Sequence, residues 1–150
     1  MKNKCMEVYV YGERLYRLFL DIIKLELDSM GVTDINSIQA LTLMNIGDSI
    51  VTVGELRSKG YYSGSNASYN IKKMVSNGYI LQNQAEYDKR ASCLQLSKKG
   101  IDLCRSLEEG LKKYSTGFSK KFNDEESLDR GIEMIKKMEG AWRELVSNSI

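Results

Sequence analysis

Hydrophobic residues recur at three- and four-residue steps along much of the chain, and this spacing predicts amphipathic helices. The first predicted helix covers Glu13–Met30, and Gly31 follows it as a residue suited to a helix end. A second helix is predicted after Asp34, a good N-cap, and ends at Gly47. The apolar residues expected to point inward from this second helix are Ile35, Ile38, Leu41, Met44 and Ile46.

Two shorter helices are predicted in the middle of the chain. Thr52 and Glu55 have the spacing of a capping box, which opens a helix over Val53–Lys59. The next helix, Ser65–Asn77, has an apolar face that should pack inward: Ala67, Ile71, Met74 and Val75. Its opposite face has no acidic residue and is rich in hydrogen-bond donors: Ser65, Asn66, Tyr69, Lys72, Lys73 and Ser76.

Strand-like segments follow, and then two further helices. Tyr79–Ala85 and Cys93–Leu96 are predicted to pair as a β-hairpin with a charged tip. Ser97 caps a long helix that begins at Lys98, and Asn123 or Asp124 caps the last helix. The three helices between Asp34 and Asn77, followed by a hairpin, predict a mainly α fold with a small β-hairpin wing, the winged helix-turn-helix.

The composition excludes several classes of function. The chain has no His and no Pro, and its three Cys, an odd number, form no C-x-x-C pair. Catalysis by an imidazole base, His-containing zinc sites and a disulfide framework are therefore not expected. We expect no enzymatic activity, no metal and no cofactor. With no targeting segment and no stretch of about 20 apolar residues, the sequence predicts a soluble, cytoplasmic protein without membrane contact.

Basic residues gather in one part of the sequence, although the formal net charge is only +2. Residues 57–100 contain eight basic and two acidic residues, whereas the rest of the chain contains 14 basic and 18 acidic ones. A local excess of this kind indicates a surface that binds a polyanion, although solvated charges can also cluster by chance.

Double-stranded DNA is the polyanion that this arrangement fits. The major groove of B-form DNA is about 12 Å wide and admits one α-helix. Lys72 and Lys73 would neutralise phosphates, and a positive hairpin tip would reach the adjacent minor groove. Short residues at the start of the polar helix allow close approach of its backbone. The candidate DNA-binding residues are Ser65, Asn66, Ser68, Tyr69, Lys72, Lys73, Asp88, Lys89 and Arg90.

Three stretches resemble the MarR family of dimeric winged-helix transcription regulators. They are Ser65–Gly78, the wing sequence Asp88–Ala91, and Leu96–Gly100, which is similar to the L-T-x-K-G of that family. In the family the wing Asp orients an Arg that enters the minor groove, which implies these roles for Asp88 and Arg90. Tyr69 departs from the pattern, since many members carry Arg there. Residues 34–48 and 60–66 are similar to the alphaproteobacterial branch that regulates L,D-transpeptidase genes.

The resemblance implies a single domain over residues 1–150 that acts as a homodimer. Residues 34–97 would form the DNA-binding lobe, and residues 1–30 and 98–150 the dimerisation helices. The alternative is that the terminal helices only cover the core of a monomer. A dimer predicts a pseudo-palindromic DNA site with half-sites about one helical turn apart. The family also implies a small-molecule effector that changes the spacing of the recognition helices; the candidate pocket residues are Tyr16, Phe19, Thr42 and Asn45.

Two other functions remain open at this stage. Some relatives sense peroxide through a cysteine in the first helix, which makes a redox role for Cys5 an alternative, although it has few positive neighbours to activate its thiol. Some winged helices bind proteins, and such a module would show an exposed apolar patch on the fourth helix. The operator sequence, the regulated genes and the direction of regulation are not given by the sequence.

Overall fold

The computed structural model describes residues 2–58, 66–84, 92–119, 121 and 124–148. Within these ranges the secondary structure comprises helices and three strands: α1 (Lys2–Ser29), α2 (Ser37–Ile46), β1 (Val51–Thr52), α3 (Val53–Ser58), α4 (Asn66–Ser76), β2 (Ile80–Gln84), β3 (Ser92–Leu96), α5 (Lys98–Ser119) and α6 (Glu125–Ser147). The mainly α fold and the order of its elements agree with the sequence prediction. The chain divides into two compact units, Met1–Leu111 and Lys112–Ile150.

The first unit has its core where α1, α2 and α4 pack against the sheet and the start of α5. Large apolar side chains from each of these elements are buried there: Ile23, Leu27, Leu43, Ile46, Leu56, Ile71, Met74, Ile80, Leu94 and Leu107. The predicted inner face of α4 is confirmed, because Ala67, Ile71 and Met74 are buried and Val75 packs against the core. Ile38 was predicted to point inward from α2, but it is exposed on the outer side of that helix.

The sheet has three antiparallel strands in the order β1-β3-β2. Ile80 pairs with Leu96 and Gln84 with Ser92, which gives the predicted hairpin. The short β1 adds a third strand through the pairs Val51–Leu94 and Thr52–Cys93. The hairpin is therefore attached along one edge to the residues that lead into α3. The tip of the hairpin, residues 85–91, lies outside the described residues.

Helix ends follow local capping chemistry, with one difference from the prediction. Thr52 and Glu55 form the predicted capping box: Glu55 donates its backbone N–H to the Thr52 hydroxyl at 3.1 Å. The N-cap of α2, however, is Asn36 and not Asp34. Asn36 accepts from the backbone N–H of Gln39, and the Gln39 side chain accepts from the backbone N–H of Asn36, which completes a second box. The Asp34 side chain has other partners, described below.

The second unit contains α6, which Asp124 caps by accepting the backbone N–H of Glu126 at 3.0 Å. Ion pairs at four-residue spacing follow along the helix, such as Arg143 with Glu139 at 2.6 Å. No residue of α6 is buried. Large apolar side chains of this helix are exposed in the isolated protomer, such as Ile135 at 62% and Trp142 at 40%.

Candidate nucleic-acid interface

The outer face of α4 is polar and open to solvent. Tyr69 is 65% exposed, and Asn66, Ser68, Lys72 and Lys73 are exposed as well. Since the apolar residues of the helix are turned into the core, its two faces are separated as the sequence predicted. The helix thus presents hydrogen-bond donors and two positive charges outward, with no carboxylate of its own between them.

A hydrogen bond ties the middle of α4 to α2. The Gln39 side chain is buried, and its Nε2 donates to Oδ1 of Asn70 at 2.9 Å. The Oε1 of the same amide accepts the backbone N–H of Asn36 in the capping box. One buried amide therefore both closes the start of α2 and links α2 to the middle of α4.

The C-terminal end of α4 is held by a cluster of three side chains, Asp34, Tyr79 and Lys99, which we name the Asp34 cluster. The Tyr79 hydroxyl donates to Oδ1 of Asp34 at 2.7 Å, and Lys99 Nζ donates to Oδ2 at 3.1 Å. Lys99 also lies 4.0 Å from the centroid of the Tyr79 ring. Its ammonium donates in addition to the carbonyl of Asn77, at 2.8 Å. Asn77 in turn donates its side-chain amide to the backbone carbonyl of Asp34, at 2.5 Å.

The pKa values of the cluster follow from these contacts. Burial raises the pKa of Asp34, but the hydrogen bonds from Tyr79 and Lys99 and the charge of Lys99 outweigh it, so this pKa lies below its ordinary value. Burial and the bond to Asp34 both raise the pKa of the Tyr79 hydroxyl. The bond to Asp34 raises the pKa of the Lys99 ammonium. At neutral pH the cluster therefore consists of a carboxylate, a neutral phenol and an ammonium.

The segment Leu96–Gly100 joins the hairpin, the end of α4 and α5. The Ser97 hydroxyl caps α5 by accepting the backbone N–H of Gly100 at 3.1 Å, and it donates to the carbonyl of Gly78. Gly78 itself has φ of 78°, which suits glycine at a helix end. Gly100 is packed so closely on the carbonyl of Tyr79 that a Cβ there would overlap it. The small residues of this motif thus allow the first turn of α5 to contact the chain after α4.

Residues 57–100, which carry the excess of basic residues, are named the positive segment. Four of their basic side chains lie in the described part of the chain: Lys72, Lys73, Lys98 and Lys99. All four are exposed, but Lys99 is paired with Asp34. Lys72, Lys73 and Lys98 have no ion pair with any described side chain. Of the candidate DNA-binding residues, Ser65, Asp88, Lys89 and Arg90 lie outside the described residues, and their roles stay predictions.

Comparison with known proteins identifies the family. Residues 31–91 match the sequence profile of the MarR family. The chain is 35% identical over 130 residues to the exopolysaccharide II synthesis transcriptional activator ExpG of Rhizobium meliloti (strain 1021), and the alignment covers 87% of this chain and 67% of that protein. The chain belongs to the MarR family. It is therefore a transcription regulator of the MarR type.

Solved structures of MarR proteins share the fold. A MarR family transcriptional regulator of Listeria monocytogenes, solved with a 26mer DNA, superposes with a TM-score of 0.78 at 19% identity, covering 91% of this chain and 89% of that one. FabT of Streptococcus pneumoniae, solved in complex with DNA, gives a TM-score of 0.73 at 20% identity and covers 93% of this chain and 98% of that one. These comparisons confirm the winged-helix architecture.

The four residues predicted to line an effector pocket of this MarR protein differ in their exposure. Thr42 is buried and its hydroxyl donates to the carbonyl of Ile38 at 2.8 Å within α2. Tyr16, Phe19 and Asn45 are exposed. None of the four lines the cavity of about 190 Å³ that lies between the end of α2 and α5. Its lining includes Met44, Leu96, Ile101, Arg105 and Glu108.

The three cysteines have different surroundings. Cys5 is exposed on α1, Cys93 is half-buried on β3 and Cys104 is buried on α5. Burial, together with the charge of Glu108, raises the pKa of Cys104 to about 11, which keeps it a neutral thiol. The described residues hold no group of three or more His, Cys, Asp or Glu side chains arranged to bind a metal ion. Among the same residues, no helix is long and apolar enough to cross a membrane.

Proposed function

We propose that this MarR protein binds double-stranded DNA through the outer face of α4 in the major groove. The observation that carries the proposal is the separation of the two faces of α4: apolar residues are buried, while Tyr69, Lys72 and Lys73 are exposed with no acidic neighbour on the helix. An α-helix fits the major groove, and free ammonium groups at its flank can neutralise phosphates. A regulator that binds chromosomal DNA has to be in the compartment that contains the chromosome. A cytoplasmic location is therefore part of this proposal.

The exposed residues of α4 divide into three roles. Asn66 and Ser68 lie in the first turn, where backbone N–H groups attract phosphate and short side chains allow close approach. Tyr69, the fourth residue of α4, has a long exposed side chain that ends in a hydroxyl, and we assign to it the reading of a base edge. Lys72 and Lys73 supply affinity that is independent of sequence. The wing residues Asp88, Lys89 and Arg90, with Ser65 before α4, complete the proposed contact surface.

The second part of the proposal is a homodimer formed by the terminal helices. Leu15 and Leu18 of α1 are 61% and 58% exposed, and Ile135, Trp142 and Leu145 of α6 are exposed in the same way. Exposed apolar side chains in such number on two helices are typical of an interface. The measurement is the mass in solution by analytical ultracentrifugation, with Ile135→Glu as the perturbing variant. A wild-type protein that stays monomeric at micromolar concentration would contradict this part.

Modulation by a small molecule rests on family membership alone. The cavity of about 190 Å³ beside α5 is smaller than the roughly 300–1,000 Å³ of usual ligand pockets. Tyr16, Phe19, Thr42 and Asn45 remain the predicted contacts of an effector. A protein-interaction module is not favoured, because Tyr69 is surrounded on the outer face of α4 by polar residues and not by an apolar patch.

The experiment that tests DNA binding is a salt titration. A duplex selected from a random pool is titrated by fluorescence anisotropy at several salt concentrations. Lys72→Gln and Lys73→Gln should each reduce the slope of log K against log salt by about 1, because each removes one phosphate contact. Arg90→Ala should weaken binding and reduce the slope by a similar amount. Lys136→Gln, an exposed charge of α6, is the matched control and should leave the slope unchanged.

Two results would contradict the proposal. If no duplex is enriched by the wild-type protein, the chain does not recognise DNA sequence. If a duplex is enriched but Lys72→Gln and Lys73→Gln bind it with the wild-type slope, then the outer face of α4 is not the contact surface. The selected sequence itself tests the dimer, since two-fold symmetry requires half-sites roughly 34–36 Å apart.

A further inference from the structure

The Asp34 cluster joins three elements that a DNA-reading helix depends on. Asp34 lies between α1 and α2, Tyr79 follows the end of α4 and precedes the hairpin, and Lys99 is in the first turn of α5. The carboxylate of Asp34 accepts from both of the other side chains, through different oxygens. The end of α4 is thus fixed at one point to α2, to the base of the hairpin and to α5.

Lys99 can be interpreted in two ways that the structure separates. As one of the basic residues of the positive segment, it would be counted as a phosphate contact. Its ammonium, however, already has three partners: the carboxylate of Asp34, the carbonyl of Asn77 and the face of the Tyr79 ring. Lys98 next to it is exposed and has no ion pair with a described side chain. The two lysines have the same charge and are adjacent in sequence, but the ammonium of Lys99 is already bonded within the protein and that of Lys98 is exposed to solvent.

We propose that Asp34, Tyr79 and Lys99 are positioning residues for DNA recognition: they fix the direction of α4 relative to the hairpin and α5, and Lys99 acts through this cluster and not as a phosphate contact. This inference rests on the proposed function. Without the cluster, the C-terminal end of α4 keeps its packing, the bond between Gln39 and Asn70, and the bonds of Asn77 to the Asp34 carbonyl and of Ser97 to the Gly78 carbonyl, but it loses its side-chain link to α5. The outer face of α4 would then fit the spacing of its half-site less well, while its charges would remain in place.

The variants are chosen to remove single contacts. Asp34→Asn keeps the shape of the side chain and removes its charge, Tyr79→Phe removes only the hydroxyl, and Lys99→Met removes the ammonium. Lys99→Arg keeps a cation that can bond to Asp34 and stack on the Tyr79 ring. Lys98→Met is the matched control, because it removes an equal charge one residue away and leaves the cluster intact.

Binding to the selected duplex and to a scrambled duplex is measured at several salt concentrations, together with urea unfolding to confirm that each variant is folded. Asp34→Asn, Tyr79→Phe and Lys99→Met should each lower the ratio of specific to non-specific affinity by about three- to tenfold, with an unchanged salt slope. Lys99→Arg should restore the ratio. Asp34→Asn combined with Lys99→Met should lose about as much as Lys99→Met alone, because the contact that Asp34→Asn weakens is already broken when the ammonium is removed.

The outcomes separate this inference from the proposed function. If the wild-type protein discriminates between the duplexes and the Asp34 and Tyr79 variants do so equally well, the positioning role is wrong and DNA binding stands. If Lys99→Met lowers the salt slope by about 1 and Asp34→Asn has no effect, Lys99 is a phosphate contact and the inference is overturned. If the wild-type protein does not discriminate at all, both fail together.

Discussion

The three glycines of α5 provide a graded test of its packing. Gly100 lies against the backbone of Tyr79, Gly110 lies against the side chain of Glu26, and Gly117 has no atom within 4 Å of where a Cβ would stand. Replacing glycine by alanine inside a helix ordinarily stabilises a protein by about 0.5–1 kcal/mol. The sequence alone assigns the same gain to each position. The structure predicts that the three substitutions differ.

At Gly100 the steric cost exceeds the gain. A Cβ would overlap the carbonyl oxygen of Tyr79 and would lie 3.3 Å from the carbonyl carbon and 3.4 Å from Cβ of Leu96. Backbone cannot rotate away as a side chain can, so either the first turn of α5 or the chain after α4 has to move. Overpacking of this kind costs about 1–3 kcal/mol. Because the helix-propensity gain is common to both sites, the difference between Gly100→Ala and Gly117→Ala isolates this cost.

Gly110 is the intermediate case. A Cβ there would lie 2.5 Å from Cδ and 3.0 Å from Cγ of Glu26. The Glu26 side chain can move, but it is only 7% exposed, so any new position has to be found within a packed interior. We therefore expect Gly110→Ala to fall between the other two variants. Gly117→Ala should be slightly more stable than the wild-type protein.

The assay is urea unfolding followed by circular dichroism, with all variants at one protein concentration, since the stability of a dimer depends on concentration. With a slope of about 2 kcal/mol per molar urea, the midpoints of Gly100→Ala and Gly117→Ala should differ by roughly 0.5–1.5 M. Equal midpoints would show that Gly100 does not approach the Tyr79 carbonyl. The account of how α5 is joined to the end of α4 would then be wrong.

Three further predictions rest on single observations. Tyr69→Ala should change the sequence recovered by selection more than it changes affinity for a scrambled duplex, because Tyr69 is assigned to base reading; an unchanged selected sequence would remove it from that role. Iodoacetamide at about pH 8 should modify exposed Cys5 and leave Cys104 unmodified in the folded protein, since the thiolate is the reactive form, and mass spectrometry of peptides checks this. The stabilisation that Asp34 gains from its lowered pKa is present at neutral pH and is lost as the pH falls through that pKa. The difference in urea midpoint between wild-type protein and Asp34→Asn should therefore shrink towards about pH 3, and a difference that stays constant would contradict it.

The inner face of α4 was predictable because a buried helix face requires apolar residues at helical spacing, and this spacing is visible in the sequence. Ala67, Ile71 and Met74 recur at helical spacing since each must contact the same core, and any polar residue there would be costly. The strands β2 and β3 were predictable for the same reason, with Leu94 and Leu96 buried on one side. Where one face of an element is buried within the protomer, periodicity locates it.

The start of α1 was not predictable by this signal. The helix begins at Lys2, whereas the periodic pattern begins at Glu13. Over residues 4–12, whose side chains the structure describes, none is buried: Met6, Tyr9 and Tyr11 are all more than half exposed. The residues before Glu13 mix charged, polar and apolar side chains without one continuous apolar face, so periodicity does not show that the helix begins at Lys2. The burial of Glu26 in α1 was not predicted either, because a carboxylate on the inner side of a helix interrupts the apolar pattern.

The N-cap of α2 depends on a local signal and on contacts with distant residues. Asp34 and Asn36 are equally good capping residues by residue type. Distant residues contribute because Tyr79 and Lys99 bond to the carboxylate of Asp34. Asn36, which has Gln39 three residues later, can form a reciprocal box that Asp34 cannot, since residue 37 is a serine. With Asn36 as the N-cap, both side chains are bonded: Asn36 to Gln39, and Asp34 to Tyr79 and Lys99. The same bonds of Asp34 hold the C-terminal end of α4.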